Sequence, residues 1–347
     1  MAYTTIDKPT DYFDAKIYTG NGSTGHAITG VGHQPDLTWI KSRGNTEWHT
    51  LIDSVRGVTK FINSNDGGAE RTSSNFIESF DSNGFTLGPS NDTNQNSINY
   101  ASWNWKAGTS FTNDASATGI GSIDSSGSVN TDAGFSIIKW VGNATSGATV
   151  AHGLGAEPSL FILKDLDDSY DWRVYVKSLG NTGAMILNST TAFVSDSSYY
   201  NNTTPSSTVF TLGNNAGTNG SGRDYIAYCF AEKQGYSKFG SYVGNGNADG
   251  TFVYTGLKPA FVMMKRSSDG TNDWTIFDNK RPGYNLINKA LYPNGNWAEG
   301  TGNALDFTSN GFKWRTSAVS YNASGATYIY MAFAENPLVT STGIPAC

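Results

Sequence analysis

Short apolar runs of four to eight residues recur from end to end of the chain. They are rich in Val, Ile, Tyr, Phe, Trp and Thr and are bounded by Gly, Asn, Asp and Ser. That pattern predicts strands. In Leu160-Phe161-Ile162-Leu163 and Phe261-Val262-Met263-Met264 the apolar residues are consecutive rather than alternate. Both faces are then expected to be buried, as in a central sandwich strand. A proline heads each such run, which suits a first strand position. Tyr328-Ile329-Tyr330-Met331-Ala332-Phe333 has the same character. Gly-Asn-Gly and Ser-Asn-Gly supply turn residues that tolerate positive φ. Helical periodicity is nearly absent. The best helix candidate, 285–292, is short and lies between Pro282 and Pro293.

The runs repeat as a set. A turn (Thr19-Gly20-Asn21-Gly22, Val141-Gly142-Asn143-Ala144, Val243-Gly244-Asn245-Gly246) precedes a Pro-led run headed by Pro35, Pro158 and Pro259 and ending in Lys41, Lys164 and Lys265. A tryptophan follows: Trp48, Trp172, Trp274. Then come Gly84-Phe85-Thr86-Leu87, Val209-Phe210-Thr211-Leu212 and Gly311-Phe312-Lys313-Trp314. An aromatic closing run completes each set: 100–105, 225–230, 328–333. The proline spacing is 123 then 101 residues, and the tryptophan spacing 124 then 102. Such agreement indicates triplication of a whole domain rather than a short-period solenoid. The expected architecture is all-β, three tandem antiparallel β-sandwiches of jelly-roll or lectin-like type. The expected layout is an N-terminal arm (1–11), unit 1 (12–107), a Ser/Thr/Gly linker (108–133), unit 2 (134–233), unit 3 (238–337) and a tail (338–347). The short junction 233–237 suggests that units 2 and 3 dock tightly.

Composition narrows the function. Lys and Arg total 23 against 29 Asp and Glu, a formal charge of −6 without a basic run. Phosphate neutralisation dominates nucleic-acid affinity, so a nucleic-acid partner is not expected. No stretch approaches the 18 or so apolar residues that span a bilayer, and the start carries no signal-peptide pattern. Cys229 and Cys347 form neither a disulfide framework nor a zinc site by themselves. They read as a buried thiol and a tail thiol.

The segments TTIDKPTDYFDAKIYTGNGS, GHQPDLTWIKSR (32–43), LIDSVRG (51–57), SFDSNGFTLG (79–88) and YASWNWKAG (100–108) resemble a repeated module of tail-fibre and other virion structural proteins of tailed phages, especially marine ones. The later copies 209–232, 236–256 and 323–336 follow the same pattern, so the resemblance covers roughly 12–336. It implies a non-enzymatic virion protein (fibre, tail appendage or surface decoration) assembled in the host cytoplasm. It also implies self-association, with a trimer favoured, and loops that meet the host surface. The first 11 residues are a candidate arm for attachment to another tail or capsid protein.

Candidate chemistry is sparse. Trp297, in Asn294-Gly295-Asn296-Trp297, and Tyr199-Tyr200 are aromatics in polar loops, the composition that stacks and hydrogen-bonds a sugar. A host cell-surface glycan is the alternative partner, and a carbohydrate-binding receptor module the alternative function. Asp165, Asp167 and Asp168 are close enough in sequence to ligate Ca²⁺, against the alternative of a solvated hairpin loop. A polysaccharide depolymerase needs two carboxylates. Asp53, Glu70 and Asp81 have partial counterparts in Asp278, Glu299 and Asp306. Asp53-x-x-Arg56 and Asp278-x-x-Arg281 also read as a recurrent ion pair, which Val176 and Leu179 replace in unit 2. His26, His33, His49 and His152 form no metal-binding spacing.

Overall fold

The Pro-led runs form strands buried along nearly their whole length, as unbroken hydrophobicity requires. The chain, seen in a computed structural model, is described over residues 2–345. Cys347 lies outside those residues, and Cys229 is a buried free thiol. With 44% of residues in strands and 8% in helices, the fold is all-β.

Unit 1 contains β1 (Phe13–Thr19), β2 (His26–Thr29), β3 (Leu37–Ser42), β4 (Thr50–Asp53), β5 (Lys60–Asn63), β6 (Arg71–Thr72), β7 (Ile77–Asp81), β8 (Gly84–Leu87) and β9 (Asn99–Trp105). They make a large sheet, β1-β9-β3-β4-β5-β6, and a small one, β2-β8-β7. Unit 2 contains β10 (Thr109–Asn113), β11 (Ser125–Asn130), β12 (Phe135–Val141), β13 (Ala148–Ala151), β14 (Leu160–Asp165), β15 (Arg173–Val176), β16 (Gly180–Ile186), β17 (Val194–Ser195), β18 (Val209–Leu212) and β19 (Asp224–Phe230). Its sheets are β10-β11-β12-β19-β14-β15-β16-β17 and β13-β18. Unit 3 contains β20 (Ser237–Val243), β21 (Phe252–Tyr254), β22 (Leu257–Arg266), β23 (Thr275–Asp278), β24 (Ile287–Ala290), β25 (Gly300–Thr308), β26 (Gly311–Trp314) and β27 (Thr327–Pro337), in sheets β20-β27-β22-β23 and β21-β26-β25-β24. The kernels β1-β9-β3-β4, β12-β19-β14-β15 and β20-β27-β22-β23 are one topology used three times. Pro259 sits inside β22, where the register with β27 shifts, a position that spares a ladder hydrogen bond.

The two faces of each kernel strand go to different cores. In unit 1, Ile40 and Tyr100 point into the unit's own sandwich, while Leu37, Trp39, Trp103 and Trp105 point away from it. Units 2 and 3 divide Phe161/Ile162 and Val262/Met263 in the same manner. All the outward faces meet in one core shared by the three units. At its centre, the equivalent residues Trp105, Phe230 and Phe333 form an aromatic triangle with centroid separations of 6.3, 5.8 and 5.7 Å. The chain is therefore a closed pseudo-threefold ring, not three beads on a string. Units 2 and 3 share this core with unit 1. A closed apolar cavity of only about 10 Å³ lies on this axis, too small to hold a ligand.

An asparagine explains the recurrent turn. Asn94, Asn219 and Asn322 are fully buried at the ends of short helices. Each accepts the backbone N–H of Asn21, Asn143 or Asn245 at 2.9–3.0 Å. Each also donates to three groups, Asn94 for example to Asn21 Oδ1, Ser23 O and Gly88 O. The closing-strand tyrosines Tyr100, Tyr225 and Tyr328 hold the same helices through the carbonyls of Asn91, Ala216 and Val319.

The structure corrects several expectations. The tryptophan landmark slips by one residue in unit 1. His49, not Trp48, is equivalent to Trp172 and Trp274, because their backbone N–H groups donate to Asn65, Asn188 and Asn294 respectively. Trp172 then donates into unit 1 (Asn63 O, 3.0 Å) and Trp274 into unit 2 (Ile186 O, 2.8 Å). Trp48 is instead half-buried under the Arg71 guanidinium. The segment 108–133 is not a linker. β10 and β11 extend the large sheet of unit 2, anchored by buried Ala115, Ile123 and Val129. Its Ser/Thr/Gly composition reflects an exposed sheet edge. The arm is not free either. Ile6 lies in the shared core, Tyr3 donates to Gly256 O at 2.7 Å, and Asp7 accepts from Ser341. The arm thus ties the start of the chain to unit 3. Residues 287–290, within the helix candidate, form β24, since Ile287 and Ala290 both face the sandwich core of unit 3.

Candidate functional site

The lysine closing each Pro-led run is buried at the base of the loop that follows. Lys41 Nζ donates to Ser42 O (2.7 Å) and Asn45 O (3.0 Å), Lys164 Nζ to Asp165 O (2.5 Å), and Lys265 Nζ to Arg266 O (2.8 Å). Burial pushes each amine down to about 8. These ammonium groups pin loops 42–49, 165–172 and 266–274. The loops interlock around the ring: Glu70 N donates to Leu166 O, Phe193 N to Ser267 O, and Glu299 N to Arg43 O, at 2.8–3.0 Å. Three units thus present one continuous crown of loops at the same end. Within it, burial and a hydrogen bond with Glu47 raise Asp92 to about 7.

The crown and its surroundings place the candidate residues differently from the sequence reading. Tyr199 and Tyr200 are buried in unit 2. Tyr200 packs against Phe161 and Tyr175, with centroids 5.2 and 5.8 Å away, and Tyr199 lies under the Arg173 guanidinium. The small sheet of unit 2 has only two strands, and this helical turn fills the gap. Gly213 N donates to Tyr199 O as Gly88 N donates to Phe76 O in unit 1. Neither ring is free to stack on a sugar. Trp297 is 48% exposed, with its ring edge-on to Tyr292.

The acidic loop is internally satisfied. Asp165 is fully buried and accepts from Asp167 N and Asp168 N at 2.9 and 2.8 Å, an Asx-type turn. Asp168 pairs with Arg223 at 2.7 Å, and Asp167 accepts from Asp224 N. Asp165 also lies 3.4 Å from the same Arg223 guanidinium, so the carboxylates are neutralised or hydrogen-bonded within the chain. Among the described residues no group of His, Cys, Asp or Glu is placed to hold a metal ion.

The paired carboxylates belong to the unit interfaces. Asp53 accepts from Arg56 Nε at 2.6 Å and from Tyr228 OH of unit 2 at 2.8 Å. Glu70 lies 3.3 Å from the same guanidinium. Asp278, Arg281 and Glu299 repeat the arrangement in unit 3, with Trp103 Nε1 of unit 1 as the donor to Asp278 at 3.1 Å. Asp53 and Asp278 are at most 1% exposed, out of reach of a substrate. Asp81 accepts from Ser79 and Thr86, and Asp306 from Arg315. Sequence reading identified the ion pair but missed Tyr228 and Trp103, whose spacing carries no hint of the contact.

The insertion that forms β10 and β11 breaks the threefold likeness. It creates an open groove of about 340 Å³ beside Asp114, Asp124, Ser126, Lys139 and Asp224. Asp124 accepts from Ala115 N, and Asp114 caps the helical turn of residues 115–118.

Three histidines are buried neutral. Burial pushes His33 and His152 down to about 4 and His49 well below its ordinary value. A lowered histidine lets the unfolded chain bind more protons between pH 6.5 and 4, so stability falls as pH drops through that window. His152 accepts from Leu154 N at 3.2 Å and contacts Ser206 O at 3.2 Å. Denaturant melts at pH 7 and pH 5 are expected to show a smaller loss in His152→Gln than in the parent. An equal loss would exclude His152 as a source of the acid sensitivity.

A family model described as Domain of unknown function (DUF7483) matches residues 8–337, which include all three units. No curated protein and no solved structure matches the chain.

Proposed function

The chain belongs to the DUF7483 family, and from its own residues we propose that it is a non-enzymatic structural protein of a phage virion, a fibre, tail appendage or surface decoration whose loop crown faces the host. The observation that carries this reading is the closed pseudo-threefold ring around one aromatic core. A ring of this kind gives one chain the outline that a homotrimer builds from three, and it fits a mount of threefold symmetry. Self-association is then not needed to complete the core. The arm is occupied within the chain, so contact with other virion proteins falls to the outer surfaces. Interlocked loops on buried lysines favour a stiff tip, and a rigid scaffold carrying loops is the usual way to present a recognition surface. Light scattering after size exclusion is expected to give the monomer mass of 37.1 kDa. Mass spectrometry of density-purified phage particles from the producing host is expected to find the chain. Its absence from particles in a host that expresses it would end the virion reading.

A further inference from the structure

We propose that a pocket of unit 3, at the end of the ring opposite the loop crown, binds a sugar residue of a neutral saccharide on the ring of Tyr284. The pocket holds about 360 Å³ and is lined by Lys258, Asn279, Tyr284, Ile287, Phe307 and Glu335. That volume lies within the usual range of small-ligand sites. Exposure, loop geometry and polar lining converge on it.

Tyr284 is 86% exposed, more than any other large apolar side chain among the described residues. The loop that carries it is specific to unit 3. Nine residues lie between Arg281 and Leu291, against five between the equivalent Arg56 and Ile62. The loop is nevertheless fixed, because Asn285 makes two hydrogen bonds to the backbone of Phe307, donating to its carbonyl at 2.8 Å and accepting from its N–H at 3.0 Å. An aromatic ring is thus held out in solvent on a braced loop, with no packing role in its own fold.

The polar groups match an edge of hydroxyls. Asn279 Oδ1 is buried and has no partner in the chain. A buried unpaired acceptor costs free energy that a ligand hydroxyl would recover. At the rim, Lys258 Nζ and Glu335 Oε2 are 3.2 Å apart, and each side chain is about a third exposed. Together they offer a donor and an acceptor with no net charge. Ile287 and Phe307 lie behind the pocket with their side chains packed in the sandwich core, and the Tyr284 ring supplies the apolar face. One apolar face and one polar edge is the amphipathic character of a pyranose. An anion is disfavoured, because Glu335 neutralises the only cationic side chain lining the pocket.

This goes beyond the reading above, because the pocket lies at the end away from the host-facing crown, and it rests on the virion assignment only for its biological setting. The two fail separately: absence from particles leaves sugar binding measurable, and a sugar-blind pocket leaves incorporation intact. Saturation-transfer NMR and titration on the full chain would use glucose, galactose, mannose, N-acetylglucosamine and their common disaccharides as probes. At least one probe is expected to receive saturation. Tyr284→Ala is expected to weaken it about tenfold or more, a change measurable by titration. Tyr284→Trp should retain it, and Trp297→Ala, at the crown end, should leave it unchanged. Tyr284 is too exposed for its loss to unfold the chain, and an unshifted melting temperature would check this. No transfer from any probe to the parent protein, or transfer that survives Tyr284→Ala, would overturn the proposal.

Discussion

Phe333→Ala is expected to destabilise all three units at once, by about 3–5 kcal/mol, the range for truncating a buried aromatic. Phe333 belongs to unit 3 by sequence and is 1% exposed. Its ring stacks on Phe13 of unit 1 at 4.9 Å and reaches Phe230 of unit 2 at 5.8 Å. Removing it opens a cavity that borders every unit. Interiors are close-packed, so neighbours relax only partly into such a gap. The shared core also dictates how the chain melts. If each sandwich stood alone, the damage would be confined to unit 3. With one common core, hydrogen exchange under mild denaturant should show β9, β19 and β27 losing protection together. Phe312→Ala is the natural control, because Phe312 is equally buried but lies in the private core of unit 3. Its cost should be of similar size, with the first loss of protection in β21, β25 and β26. Persistence of units 1 and 2 in Phe333→Ala while unit 3 unfolds would refute the shared core.

The Pro-led strands show what the sequence could and could not disclose. Leu160-Phe161-Ile162-Leu163 announces burial on both faces, and that burial is present. Nothing in the run says what covers the second face. The sandwich's second sheet covers one face only, whereas Leu160 and Ile162 face the other two units. Pattern reports exclusion from water, not the identity of the neighbour. The lysine that ends each run was visible as a repeat, but its role depends on loop carbonyls that only the fold assembles. β10 and β11 were illegible for a different reason. An added edge of a sheet faces solvent, so Ser, Thr and Gly suffice along it and the hydrophobic signal is faint. Tyr199 and Tyr200 lie among Ser, Asp and Asn, which reads as an exposed loop. They are buried because unit 2 lacks a small-sheet strand, a deficit that no local window contains. Trp48 misled because two neighbouring residues, Trp48 and His49, compete for one slot. The asparagine acceptor 16 residues beyond His49 and beyond Trp172 marks the true register.

The second large effect concerns the interface charges, where Asp53→Val alone is expected to cost about 3–5 kcal/mol, as for a buried ion pair robbed of one partner. The change leaves the Arg56 guanidinium, whose side chain is 1% exposed, with Glu70 at 3.3 Å as its remaining carboxylate, and it strands the Tyr228 hydroxyl that donates to Asp53. The chain itself contains the remedy. Where unit 1 has Asp53, Arg56 and Glu70 facing Tyr228 of unit 2, unit 2 has Val176, Leu179 and Phe193, and Met331 of unit 3 holds the position of Tyr228. All four polar members are replaced by apolar ones at that interface, and none survives alone. This all-or-none substitution is what the energetics of burial demand. A paired charge network and a fully apolar contact are both tolerable, whereas a mixture leaves an uncompensated charge. The quadruple variant Asp53→Val, Arg56→Leu, Glu70→Phe, Tyr228→Met should therefore recover most of the loss, ending within roughly 2 kcal/mol of the parent after repacking strain. Chemical denaturation of the parent, the single variant and the quadruple variant gives the comparison directly. A quadruple variant less stable than Asp53→Val would mean that the three interfaces are not interchangeable solutions to one packing problem.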